Sequence, residues 1–235
     1  MLILALETTA AAASAALCRD GEILSYSYQR SGLTHSRTLL PMVEDLFRNT
    51  EIEKTGIDAV AVARGPGSFT GVRIGVSTAK GLCWGLGKPA IGVSTLEAMA
   101  WLALGAPADA LICPAMDARR SQLYNAFFEL RDGRPARLCP DRAVSAADMA
   151  AEAAALGRRV WVLGDGAEIA GRALAEKNVP VILAPELSRW QSACGVALCA
   201  MEKDPAPAQD LLPVYLRLSQ AERERQERLE TIGNK

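Results

Sequence analysis

The chemistry-bearing residues of this chain are few. Two acids, Glu7 and Asp117, each close an apolar run, LILAL before Glu7 and ALICPAM before Asp117. Small-residue turns follow both. A carboxylate ending a buried strand can meet a hydrated cation while unpaired amides of the next loop meet phosphate. The same carboxylate can equally accept the amides of its own turn. Between the two acids lies a glycine-rich segment, GPGSFTGVRIG at residues 65–75. No lysine follows its glycines as in a GK[ST] phosphate loop, and it does not match GxGxxG. Gly65, Pro66 and Gly67 predict a tight turn, and Ser68 or Thr70 can cap the helix that follows. The chain has one histidine, His35. That rules out HxxxH and HExxH metal pairs, and no GxSxG is present to build a triad on it. His35-Ser36 reads as a cap or an interface pair at a helix start.

The elements that must position these residues follow from apolar spacing. Residues 2–6, 13–18, 22–28 and 57–63 read as strands, with Asp20-Gly21 as a hairpin turn. Leu39, Leu40, Val43, Leu46 and Phe47 fall at helical spacing from Thr34 to about Asn49, with Pro41 expected to kink that helix or sit late in its first turn. A second helix is predicted from about Thr70 to Gly85, then a short strand at 91–93, then a helix opened by the SxxE capping box Ser94–Glu97. The second half repeats the order. Residues 110–116 end at Asp117, residues 122–130 lead to Asp132-Gly133, and 160–163 run into Gly164-Asp165-Gly166 and a helix near 167–177. The acids lie 110 positions apart and the Asp-Gly turns 112, which suggests an internal duplication divided near Gly105-Ala106-Pro107. The expected division is an N-terminal lobe at 1–105, a C-terminal lobe at 106–210 and an end segment at 211–235. In that segment Leu211–Leu218 reads as an ordered edge and Gln220–Glu230 as a solvated helix or frayed tail, with a partner contact as the alternative.

Composition narrows the function classes. The 235 residues carry 26 Lys+Arg against 27 Asp+Glu, a formal net charge of -1. A protein holding nucleic acid on its own usually has a strong basic excess. Arg119-Arg120 and Arg158-Arg159 are too short for a basic stripe. No apolar run approaches the length of a membrane span. MLILALETTAAAASAALC lacks a basic leader and is broken by Glu7, so it reads as a buried first strand rather than an export signal. Six cysteines without a CxxC pair fit reduced core thiols in a cytoplasm.

The helix after Ser68 has an unusual stripe. Gly71, Gly75 and Ala79 recur every four residues, with Gly81 and Gly85 on another line. A glycine inside a helix costs about 1 kcal/mol relative to alanine. Close packing by another helix would offset that, from within the chain or from another protein.

These motifs together resemble the TsaB (YeaZ) family. The resemblance is carried by LALETT at the start, HSxxLLP at His35–Pro41, GPGSFTGVRIG, GVSTLEA at 92–98, DAR at 117–119 with Tyr124, and Tyr215-Leu216-Arg217. One departure is Glu7, where Asp is commoner. The resemblance implies an α/β, actin-like, ribonuclease-H-like fold of two similar lobes. It implies cytoplasmic work in forming N6-threonylcarbamoyladenosine at position 37 of tRNAs reading ANN codons. In that work a TsaB chain is the non-catalytic partner of TsaD, joined by the ATPase TsaE, and meets tRNA through the complex. A homodimer is expected when TsaD is absent. ATP or ADP would belong to the complex, with no cofactor or metal held strongly by this chain alone. The partner-binding residues carried over are His35, Leu39, Leu40, Val43, Leu46, Phe47, Gly71, Ile74, Gly75 and Thr78. Glu7, Gly65, Ser68 and Asp117 are the nucleotide-proximal positions. The alternative is a stand-alone ATP-dependent phosphotransferase or ATPase using Glu7 or Asp117 with Mg. A peptidase is disfavoured by the single histidine.

Overall fold

Strands buried on both faces read as unbroken apolar runs, and such runs form the centres of two sheets here. The computed structural model describes residues 1–217. The first half runs β1 (Leu2–Glu7), β2 (Ala13–Arg19), β3 (Glu22–Gln29), α1 (His35–Thr50), β4 (Ala59–Ala63), α2 (Phe69–Leu86), β5 (Ala90–Val93) and α3 (Thr95–Ala100). The second runs β6 (Leu111–Asp117), β7 (Gln122–Asn125), β8 (Phe128–Arg131), β9 (Arg134–Arg137), β10 (Arg142–Ser145), α4 (Ala146–Leu156), β11 (Val160–Leu163), α5 (Ala167–Glu176), β12 (Val181–Leu183), α6 (Glu186–Arg189) and α7 (Ala193–Ala200).

Sheet order is β3-β2-β1-β4-β5 in the first half and β10-β7-β6-β11-β12 in the second, with β8 and β9 appended beside β6. In each half the opening strand is central, antiparallel to the next strand on one side and parallel to a later strand on the other. Asp20-Gly21 and Asp132-Gly133 both turn with positive φ, as two-residue hairpins require. The duplication is therefore present in the topology, and the fold is the two-lobed actin-like α/β arrangement.

The layers alternate. Side chains at even positions of β1, with α1 and α2, fill one core; odd positions, with α7, fill another. Helices α4 and α5 cover the outer face of the second sheet, and α3 with the turn after it covers the inner face. The sequence division places residues 106–210 in the second lobe, but α7 packs on β1, β2 and β4 of the first. Its Val196, Ala197, Cys199 and Ala200 meet Ile3, Ala5, Ala16 and Ile91, the one face of the first sheet that α1 and α2 leave uncovered. Each half thus covers part of the other with its last α-helix.

Three further differences concern single elements. The single strand expected at 122–130 is two, β7 and β8. Pro114 on β6 has no N–H for the ladder, and its carbonyl accepts from the Asn125 side chain at 3.1 Å. Helix α1 continues through Pro41; that residue and Arg37 are exposed, so water can serve the carbonyl that Pro41 cannot. Leu211–Arg217 is ordered but forms no strand. Leu218 and the charged run Gln220–Glu230 lie outside the described residues. Ser94 caps α3 as expected, accepting from the Glu97 amide at 3.2 Å, while the Glu97 carboxylate turns to Lys203 and Arg137. All six cysteines are free thiols. Among the described residues no helix is long and apolar enough to cross a membrane.

Candidate functional site

The β1–β2 turn, the β4–α2 turn and the β6–β7 turn converge on a cleft of about 550 Å³ between the halves. Ser68 and Asp117 stand on its walls, with Thr9, Phe69, Asp165 and Tyr124; Glu7 and Gly65 do not. Glu7 is buried at the end of β1 and accepts the Thr9 amide. Burial pushes its carboxyl up to about 7, and the charge of Asp165 adds to the rise. Asp117 is half-buried and held by its own turn, accepting the Arg119 amide at 2.7 Å and pairing with the Arg119 guanidinium at 3.5 Å. Asp165 is also raised by burial, an effect opposed by the Gln191 amide that donates to it at 2.7 Å. Glu7 is thus taken up inside its own turn, while Asp117, paired with Arg119, and Asp165 both face the cleft. Among the described residues no group of three or more His, Cys, Asp or Glu is placed to hold a metal ion.

Helix α2 is the second candidate, and its two sides differ. Ser68 caps it, accepting from the Gly71 amide at 3.3 Å. A Cβ at Gly71 would collide with the Thr8 carbonyl oxygen, and one at Gly75 with the Thr8 hydroxyl. Thr8 Oγ1 in turn donates to Gly71 O at 2.8 Å, and Ser68 N donates to Thr9 O at 2.7 Å. The Gly71-Gly75-Ala79 line thus packs the helix onto its own lobe. The partner role expected for Gly71 and Gly75 is corrected: their missing side chains make room for the β1–β2 turn. The same holds for Leu39, Val43, Leu46 and Phe47, which are buried in the first lobe's core because that is where an amphipathic helix on a sheet turns its apolar stripe.

The outward side carries other residues. Ile74, Thr78, Gly81 and Gly85 fall at i, i+4, i+7 and i+11, one face of a helix. Ile74 and Thr78 are half-buried, while Gly81 and Gly85 have nothing within reach of an added Cβ. Trp84 beside them is 68% exposed, and Leu40 on neighbouring α1 is 47% exposed. His35 is half-buried, its Nε2 lying 2.7 Å from the Ala10 carbonyl, so it ties α1 to the β1–β2 turn. Of the residues expected at the partner surface, Leu40, Ile74 and Thr78 are placed to meet one. Asp165 and Trp84 were not singled out from sequence. The one signal for Asp165 was its Gly-Asp-Gly turn after a strand.

The comparisons with known proteins cover nearly the whole chain. It is 32% identical over 223 residues to the tRNA threonylcarbamoyladenosine biosynthesis protein TsaB of Bacillus subtilis, spanning 94% of this chain and 96% of that protein. The chain belongs to the TsaB family. A family model described as TsaD, tRNA N6-adenosine threonylcarbamoyltransferase, matches residues 29–160. YeaZ from Pseudomonas aeruginosa superposes with a TM-score of 0.73 at 27% identity, over 92% of this chain and 99% of that one. Component A of the (R)-2-hydroxyglutaryl-CoA dehydratase of Acidaminococcus fermentans matches at a TM-score of 0.51 and 13% identity, over 86% of this chain and 98% of that one, which shows the shared fold alone. In the segment similar to the TsaD family this TsaB-family chain has a single histidine, His35, already engaged with Ala10.

Proposed function

We propose that this chain is a partner subunit, with no catalytic residue of its own, in forming N6-threonylcarbamoyladenosine at position 37 of tRNAs reading ANN codons. It acts in the cytoplasm, docked on TsaD, with TsaE joining the pair and tRNA reached through the assembly. Full-length similarity to a TsaB protein carries this reading. The open side of α2 supports it. Ile74, Thr78, Gly81 and Gly85 form a slim ridge beside the exposed Trp84, onto which another helix can pack closely. The same ridge serves a homodimer when TsaD is absent, since an apolar helical face is costly to leave wet. Any ATP or ADP belongs to the assembly rather than to this chain's cleft.

The test is a reconstituted tRNA modification assay. Leaving this chain out should abolish product; undiminished product would refute the reading. Ile74→Asp in the full chain should weaken capture of TsaD about tenfold or more, as loss of an interface anchor does. Its melting temperature should stay unchanged.

A further inference from the structure

After α7 the chain stays on the first lobe and then crosses the cleft. Ala206 and Ala90 exchange two backbone hydrogen bonds of 2.9 Å, adding a bridge at the edge strand β5. Lys80 of α2 donates to the carbonyls of Gln209 and Leu211, both at 3.2 Å, and Leu211 is buried in the first lobe's core. The Val214 amide donates to Arg64 O at 2.7 Å. Glycine at position 65 lets this stretch lie against the β4–α2 turn, because a Cβ there would collide with the Val214 carbonyl oxygen.

The next three residues face the cleft. Tyr215 stacks on Phe69 with ring centroids 4.3 Å apart. Its hydroxyl accepts from Arg73 Nε at 3.2 Å, and the Arg73 guanidinium lies 4.0 Å over the Phe69 ring. Arg217 then reaches the second half, donating to Ala118 O and, at 3.4 Å, to Arg119 O. That β6–β7 turn is an unusual acceptor. Arg119, Arg120 and Ser121 all have positive φ, a left-handed conformation that non-glycine residues keep only with outside support. Asp117 supports the turn from within and Arg217 from the end segment.

We propose that residues 206–217 are a strap that fixes the width of the inter-lobe cleft, with Arg217 its fastening to the second half. The strap lies on the first lobe along its length, ends on the second, and places Tyr215, Leu216 and Arg217 in the cleft lining. Elsewhere the halves are held together independently. Ser94 and Glu97 of the first half are tied to Asp141 and Arg137 of the second. Releasing the strap therefore loosens the cleft without parting the lobes.

Hydrogen–deuterium exchange on the full chain tests this. Arg217→Ala should speed exchange about tenfold in both residues 67–71 and residues 118–122, the size expected for losing a charge-assisted hydrogen bond. Tyr215→Ala should act in the same two segments. Leu212→Ala, at a 60% exposed strap position, should match the unaltered protein. The proposal is overturned if Arg217→Ala leaves both segments unchanged, or if faster exchange is confined to residues 213–217. It is equally overturned if Leu212→Ala loosens the cleft as much.

Discussion

The two sides of helix α2 carry glycine at comparable spacing and use it for opposite ends. On the inner side, Gly71 and Gly75 are filled by Thr8 of the β1–β2 turn. On the outer side, Gly81 and Gly85 face open space beside an exposed Trp84. Spacing alone says that bulk is missing along a line. It does not say whether the chain itself or another molecule takes up the room. The inner line is a matter of folding, and only the outer one is free to serve recognition.

That contrast can be broken by substitution. The largest effect is expected for Gly75→Leu, whose side chain would meet the Thr8 hydroxyl and Val62. It should cost about 3 kcal/mol or more in urea unfolding. An unchanged unfolding midpoint would show that the inner line is not packed as described.

Glu7→Gln comes next and probes the turn on which the inner line rests. The folded carboxyl is raised to about 7 from an ordinary 4.5. The contribution of Glu7 to stability is therefore greatest below pH 4.5, falls as pH rises towards 7, and is level above that. The amide keeps an acceptor for the Thr9 N–H and carries no charge to bury. The variant should be more stable than wild type by roughly 3 kcal/mol at alkaline pH and about equal at low pH. Thermal melts across pH would read the difference, and parallel curves would contradict it.

The smallest effect belongs to the outer side. Gly81→Ala should stabilise the isolated chain by up to about 1 kcal/mol, since alanine is the better helix former and meets nothing there. The same methyl group thickens the ridge and should weaken association with TsaD. A stability gain with undiminished association would move the docking face elsewhere.

Much of the fold was legible in the chain. The apolar runs ending at Glu7 and Asp117, the paired Asp-Gly turns and the helical spacing from Leu39 to Phe47 are local signals, and each produced the element it pointed to. What escaped depended on neighbours distant in sequence. The break between β7 and β8 answers to Pro114 on the adjacent strand. Asp165 comes beside Asp117 because β11 pairs with β6, and near Glu7 because the two sheets meet. The partner surface was half readable. Spacing marked Leu39, Val43, Leu46 and Phe47 as one apolar stripe, and such a stripe fits the molecule's own sheet as well as a foreign helix. The strap has no periodicity, so nothing along Pro213–Arg217 announced which carbonyls Arg217 would find.

The exchange of last helices between the halves sets an order on biosynthesis. Ile3, Ala5 and Ala16 belong to the first strands to leave the ribosome, yet their cover is Val196, Ala197 and Cys199, made near the end. At roughly 5–20 residues per second, those apolar strands wait tens of seconds or about ten for their lid. During translation the nascent first lobe therefore shows a greasy underside, a natural target for chaperones.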